Sequence, residues 1–334
     1  MEKMNLKKII DVDKDKCVNC HQCISVCPSK LCNDGSKSYV EVNPDLCIGC
    51  GACLKICTHD ARIGLDDFDL FLKAVNDKKQ IVAVTAPAVA ANFPGKYLNI
   101  NGWLKKMGVK AVFDVSFGAE LTVMSYLKAI KDKNLRHVIS QPCPAIVSYI
   151  ELYHPELIQY LAPSDSPMMH TIKMVKKFYP EYKNAEFAVL SPCYAKRREF
   201  DEVGIDAYNI TFKSLDAYFK DKHINLDTYP PVSYDNPPAE RAVLFSSPGG
   251  LLRTAQRDVP GIENKSRKIE GRYSIYKYLD TFKKSVSDKK APLLVDCLNC
   301  GMGCNCGPGT LNQDKNIDEV ESLIEKRCDE ARKE

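Results

Sequence analysis

The chain has 334 residues, of which 45% are hydrophobic and 27% charged, an ordinary globular composition that excludes disordered and fibrous classes. Its formal charge of +4, from 47 basic and 43 acidic residues, is too small to carry a nucleic-acid interface. The most apolar stretch, 81–93, is broken by Thr85 and Pro87 and falls short of the ~20 residues a membrane span needs. Sixteen cysteines are the outlier. No charged segment followed by an apolar one opens the sequence, so a cytoplasmic protein is expected, with its cysteines ligating metal rather than forming disulfides.

Cys17, Cys20, Cys23 and Cys27 read C-x2-C-x2-C-x3-C, followed by Pro28. Cys47, Cys50, Cys53 and Cys57 repeat that spacing, with Thr58 in place of the proline. This is the duplicated bacterial-ferredoxin signature, in which the fourth cysteine of each run ligates the other 4Fe-4S cluster. One cluster is therefore expected on Cys17, Cys20, Cys23 and Cys57, the other on Cys47, Cys50, Cys53 and Cys27. A compact turn aims three sulfurs at one cubane and a distant residue closes the cage. A pair of zinc knuckles is the alternative, but it gives no reason for the duplication. Cys32 lies outside the pattern and reads as an ordinary thiol. A small α+β two-cluster domain is expected over residues 1–78.

From residue 81 onward short β-rich runs alternate with helical ones, the pattern of parallel sheets crossed by helices. Strands are expected at 81–85, 111–115, 137–140, 187–190, 242–246 and 293–295. Helices are expected at 120–131, 145–153, 168–178, 214–220, 251–257, 273–284 and 317–332. The stretch 228–239, with Pro230, Pro231, Pro237 and Pro238, reads as a connection between two lobes. The fold class is α/β: residues 79–334 form a two-lobed α/β domain with mostly parallel sheets. Ligands of such sheets gather where strands end, and Cys143, Cys193 and the cysteines after residue 295 sit at such ends.

Four segments carry a more specific likeness. They are Thr85-Ala86-Pro87 with the run 113–122, then Pro142-Cys143-Pro144, then Ser191-Pro192-Cys193-Tyr194-Ala195-Lys196, and finally Cys300-Gly301-Met302-Gly303-Cys304. In this order they resemble the catalytic domain of the FeFe-hydrogenases, and the likeness includes the two-cluster front end. The resemblance implies that Cys143, Cys193, Cys300 and Cys304 hold a third 4Fe-4S cubane. Cys304 would bridge it to a diiron subsite carrying CO, cyanide and a dithiolate with a central amine. Ala86 and Pro87 would flank this group, Lys196 would hydrogen-bond a cyanide, and Glu199 would anchor the lysine. Cys297 and Cys306, taken with Cys300 and Cys304, could instead form a four-cysteine site of their own. Cys328, in the charged helical tail, reads as a free thiol. Three cubanes at about −2 each would leave the loaded chain mildly acidic. The implied reaction is reversible heterolysis of H2 to protons and electrons. The implied partners are a ferredoxin-like or other redox protein and the maturation proteins that deliver the diiron group.

The sequence also departs from the family's turnover members. They carry a proton-donating cysteine where this chain has Pro142. Their relay continues through two glutamates and a serine at positions that align with Tyr126, Ala129 and Ala162. Ser191 and Leu298 replace two methionines. One gap in a proton path typically costs ~10²–10⁴-fold in rate, so slow turnover and a hydrogen-sensing role are expected, and the resemblance to sensory members implies a downstream signalling domain as partner. Three other readings stay open. One is a turnover enzyme whose protons leave through Ser191 and Glu199, or through Tyr126 and His170. The others are a non-catalytic iron–sulfur assembly protein and a plain electron carrier.

Overall fold

The computed structural model describes residues 6–333. Four short strands, β1 (Ile10–Val12), β2 (Asn33–Asp34), β3 (Glu41–Val42) and β4 (Arg62–Gly64), form two antiparallel pairs, β1 with β4 and β2 with β3. Each cysteine run enters a one-turn helix, Gln22–Ser25 or Ala52–Ile56. The residue before each helix is left-handed, His21 and Gly51, which turns the chain so sharply that successive cysteines face one point.

The rest of the chain builds two parallel sheets. The first runs β6 (Ala111–Asp114), β5 (Ile81–Thr85), β8 (Glu186–Ser191), β9 (Ala207–Thr211), with every pairing parallel. Its central strand, Ile-Val-Ala-Val-Thr, is buried throughout, as a strand covered by helices on both faces must be. The second sheet runs β10 (Ser266–Glu270), β11 (Leu294–Leu298), β7 (Val138–Ile139) and is also parallel. Because β7 precedes β8 in sequence, the chain visits the second lobe, returns to the first and crosses again. Helix Val115–Asp132 lies between the lobes, with Val115, Phe117 and Leu121 packed in one core and Ala119, Val123 and Tyr126 in another. Gly118 lets helix Pro167–Phe178 approach it: a Cβ there would lie 2.1 Å from Thr171 Oγ1 and 2.3 Å from the Pro167 carbonyl oxygen.

Several expectations need correction. Residues 242–246 are not a strand but part of a 3-10 turn, Arg241–Ser246, against helices Val115–Asp132 and Gly250–Asp258. A short, wholly apolar run has the same pattern in a buried turn as in a buried strand. Strands β9 and β10 were not expected. Each is a sheet edge with polar residues, and β10, Ser-Arg-Lys-Ile-Glu, presents no apolar run. Helices Phe68–Asn76 and Tyr97–Lys106 were likewise not expected. The proline-rich stretch is more than a connection, because it covers the edge of β6. The Asp235 carboxylate accepts the Val112 N–H (2.7 Å) and the Asn236 side-chain Oδ1 accepts that of Asp114 (2.7 Å), pairing groups a bare edge would expose.

The C-terminal helix, Ile317–Ala331, is tied to the first sheet by a buried ion pair. Arg327 Nη2 lies 2.6 Å from Asp114 Oδ2, both side chains are under 10% exposed, and Nη1 donates to the Pro87 carbonyl (3.1 Å). Removing one member of such a pair leaves an uncompensated buried charge. Arg327→Met is expected to destabilise the chain by about 3–5 kcal/mol, read from denaturant unfolding followed by the fluorescence of buried Trp103.

Asp296, buried on β11, accepts the Leu252 N–H (3.1 Å), and burial, with Glu270 close by, pushes its pKa up to about 7. Above its ordinary value the unfolded chain loses a proton that the folded chain keeps. The stability this residue contributes is therefore complete below about pH 4 and lost as pH rises through about 7. Asp296→Asn is expected to flatten the stability profile over that window and to raise stability above it. Unfolding midpoints at about pH 5 and about pH 8 check both statements.

Candidate functional site

Among the described residues, at least four cysteines apiece line three cavities of this fold. Cys17, Cys20, Cys23 and Cys57 line the first, with His21, His59 and Arg62, and it contains about 310 Å³ of empty space. Cys27, Cys47, Cys50 and Cys53 line the second, about 300 Å³. Each run thus sends its last cysteine to the other run's cavity. Arg62 Nη2 donates to Cys23 Sγ at 2.8 Å, a buried cation placed against the first set of sulfurs. Cys32, read from spacing as an ordinary thiol, borders the second cavity. Hydrogen bonds from it draw down the pKa of Cys27 and of Cys47, the latter to about 7.

The third cavity opens where the strands of both parallel sheets end. Beyond β5 lie Ala86 and Pro87, beyond β7 Pro142 and Cys143, beyond β8 Pro192 and Cys193, and beyond β11 Cys300 and Cys304. All eight line it, with Lys196, and its empty space of about 770 Å³ is more than twice that of either smaller cavity. The chain's local chemistry fixes each sulfur. Cys143 is the N-cap of helix Pro144–Tyr153, with proline at the first helical position, where the backbone favours a negative charge. Cys193 follows β8, and its N–H donates to Ser191 Oγ (3.4 Å) while its carbonyl accepts Asn209 Nδ2 (3.1 Å). Gly303, with φ of +68°, turns the chain between Cys300 and Cys304. Burial pushes the Cys193 thiol up to about 12 and raises Cys300 and Cys304 as well, with neighbouring cysteines adding to each.

Lys196, 7% exposed, reaches the cavity from the start of helix Lys196–Glu202. Its ammonium donates to the Pro142 carbonyl (3.1 Å) and pairs with Glu199. Glu199 does not line the cavity. Neither does Ser191, whose hydroxyl is buried and donates to Asn209 Oδ1 at 2.6 Å. Tyr126 is buried and accepts the Gln141 N–H (2.9 Å). Ala162 is buried, and His170 bonds Thr122 Oγ1 (2.9 Å) where helix Pro167–Phe178 packs on helix Val115–Asp132. None of the three borders the cavity. Apart from the cysteines and Lys196, no lining side chain among the described residues is ionisable. Ser246, which sequence reasoning missed, lines the cavity with its hydroxyl buried and without a hydrogen-bond partner among the described residues.

This donor set fits a large iron–sulfur group better than a single ion. Among the described residues no three His, Cys, Asp or Glu side chains converge as they would on one metal ion. In a cubane each sulfur takes a different iron, so four thiols spread around a void are the arrangement required. The surplus volume would admit a second group, toward which the unpartnered Ser246 hydroxyl could donate. Of the alternative four-cysteine grouping, Cys300 and Cys306 border a separate cavity with Cys50, while Cys297 and Cys306 have other neighbours as well. Cys297 faces Ser140 (Sγ to Oγ 3.6 Å), and Cys306 packs with Ala91, Val320, Ile324 and Cys328. Cys328 is a buried thiol in that cluster.

Comparison with known proteins agrees with this layout. Residues 79–308 match the family described as "Iron only hydrogenase large subunit, C-terminal domain", and residues 9–58 match the "4Fe-4S dicluster domain". The chain is 24% identical over 322 residues to "Iron hydrogenase 1" of Clostridium pasteurianum, covering 83% of this chain and 56% of that protein. It is 26% identical over 276 residues to "NADP-reducing hydrogenase subunit HndD" of Solidesulfovibrio fructosivorans, covering 72% of this chain and 42% of that one. The chain thus spans about half the length of these relatives. A solved structure of apo [FeFe]-hydrogenase HydA1 from Chlamydomonas reinhardtii, a cysteine-to-histidine variant, has a TM-score of 0.61 at 19% identity. That likeness, one of fold, covers 78% of this chain and 88% of that one. With a family match over most of its length, this chain belongs to the iron-only hydrogenase large-subunit family and carries a 4Fe-4S dicluster domain ahead of the hydrogenase domain.

Proposed function

We propose that this chain is a low-turnover hydrogenase that acts as a hydrogen sensor or regulatory hydrogenase. The observation that carries the reading is the cavity lining, which beyond its sulfurs offers one ionisable side chain, Lys196, already engaged with Pro142 and Glu199. When bound, a 4Fe-4S cubane joined to a diiron subsite with CO, cyanide and azadithiolate ligands supplies reversible splitting of H2 into two protons and two electrons.

The chain's own residues bind and orient this group. Cys143, Cys193, Cys300 and Cys304 would supply the four thiolates that hold it. Lys196 would hold an anionic ligand with a compact cation, and Glu199 keeps the ammonium in position. Ser191 and Asn209 fix the loop that carries Cys193, a positioning role. Ala86, Pro87, Val115, Pro167, Met168 and Phe245 form an apolar wall that excludes water. Pro142 stands beside the cysteine that begins the Pro144–Tyr153 helix and offers no side-chain proton. Tyr126 and Ala162 do not reach the lining either. Electrons would pass through the two cubanes of the N-terminal domain to a ferredoxin-like or other redox partner, and delivery of the diiron group would need maturation proteins. No helix among the described residues is long and apolar enough to cross a membrane.

Maturation with a synthetic diiron precursor is expected to give infrared bands of bound CO and cyanide. Film electrochemistry is then expected to show turnover ~10²–10⁴-fold below that of a hydrogenase with a complete proton path. Bands with fast turnover would sink the sensory reading; iron uptake without bands would place the chain among scaffolds or electron carriers.

A further inference from the structure

Between the second ferredoxin-type cavity and the large one stands Asn299, 7% exposed and adjacent in sequence to Cys300. Both donors of its carboxamide and its oxygen are engaged. Nδ2 donates to the Cys50 carbonyl (3.2 Å) and to Cys300 Sγ (3.6 Å), while Oδ1 accepts the Tyr276 hydroxyl (2.7 Å). Tyr276 is itself immobilised, buried with its ring centroid 4.3 Å from that of Tyr149, whose hydroxyl donates to Asp280 (2.9 Å). A side chain held on three sides has little freedom to leave, and two of its contacts are with cysteines of different cavities.

We propose that Asn299 is a positioning residue that couples the inner ferredoxin-type cluster, the one in the second cavity, to the cubane of the large cavity and raises that cubane's reduction potential. The inference rests on the ligand assignments proposed above. An N–H pointed at a thiolate stabilises the more negative, reduced cluster more than the oxidised one, so its removal makes reduction harder. The same amide ties the backbone of Cys50 to the strand end that carries Cys300, fixing the separation across which an electron moves. The step transfers one electron, oxidising the inner cluster and reducing the cubane, or the reverse when H2 is consumed; no bond forms or breaks. Tyr276 serves by aiming the carboxamide.

The test is a redox titration of the full chain with its clusters reconstituted, followed by electron paramagnetic resonance. Iron and sulfide are counted, and the cavity cubane is assigned by the signal lost in Cys193→Ser. In Asn299→Leu, which keeps the branching and heavy-atom count but lacks the amide, the iron count is expected to hold and the cubane midpoint to move to more negative potential, with the midpoint of the cluster on Cys17, Cys20, Cys23 and Cys57 unchanged. Tyr276→Phe covers a possible loss of clusters in the first variant. It keeps the amide but frees it, and a smaller shift in the same direction is expected. Full iron with an unmoved cubane midpoint in both variants overturns the proposal. An unsubstituted chain that takes up only two cubanes overturns the ligand assignment instead, and the proposal with it; the iron count separates the two failures.

Discussion

Everything in the larger domain depends on parallel strands ending at a common edge. Parallel pairing puts the C-terminal ends of β5, β7, β8 and β11 on one side of their sheets. Loops leaving such ends deliver four thiols to one void only if the two sheets are held in a fixed relation. Helix Val115–Asp132 does this by being apolar on opposite sides, so each lobe buries a different stripe of it. Its N-terminus is held by the Asp114 side chain, which accepts the Ser116 N–H (2.8 Å) and pairs with Arg327. One carboxylate thus fixes both the start of the interlobe helix and the C-terminal helix that grips Pro87.

The small domain is fastened to the large one by charge and shape at the base of the same helix that carries Lys196. Arg198, almost wholly buried, donates to the carbonyl oxygens of Lys7 (3.0 Å), Pro44 (2.7 Å) and Cys47. Arg197 pairs with Asp67 at 2.8 Å. A guanidinium satisfied by three carbonyls is a rigid pin, since its donors are fixed in one plane. Cysteine, lysine and both arginines lie within six residues, so the segment 193–198 serves the cavity with one end and the domain junction with the other.

Much of this was legible in the sequence because cysteine spacing carries geometry directly. The duplicated run predicts which sulfurs share a cavity, and the three later motifs point to strand ends. What escaped has physical reasons. The edge strands β9 and β10 are too polar to announce themselves, and the apolar run 242–246 could not be told apart from a strand. Cys32 sits far from Cys47 along the chain but beside it in space. Asn299, Ser246 and Arg198 belong to no motif. Their importance arises from what the fold sets opposite them, the Cys50 carbonyl, the open cavity and the Cys47 carbonyl, and no local pattern records that.

The exchange of final cysteines between the two N-terminal runs has a mechanical consequence. Since Cys27 lies against the second void and Cys57 against the first, neither half of that segment can be peeled away without opening both compartments. The halves are interlocked like links. Damage to one would be felt at the other, so this region should come apart as a single unit and not in stages.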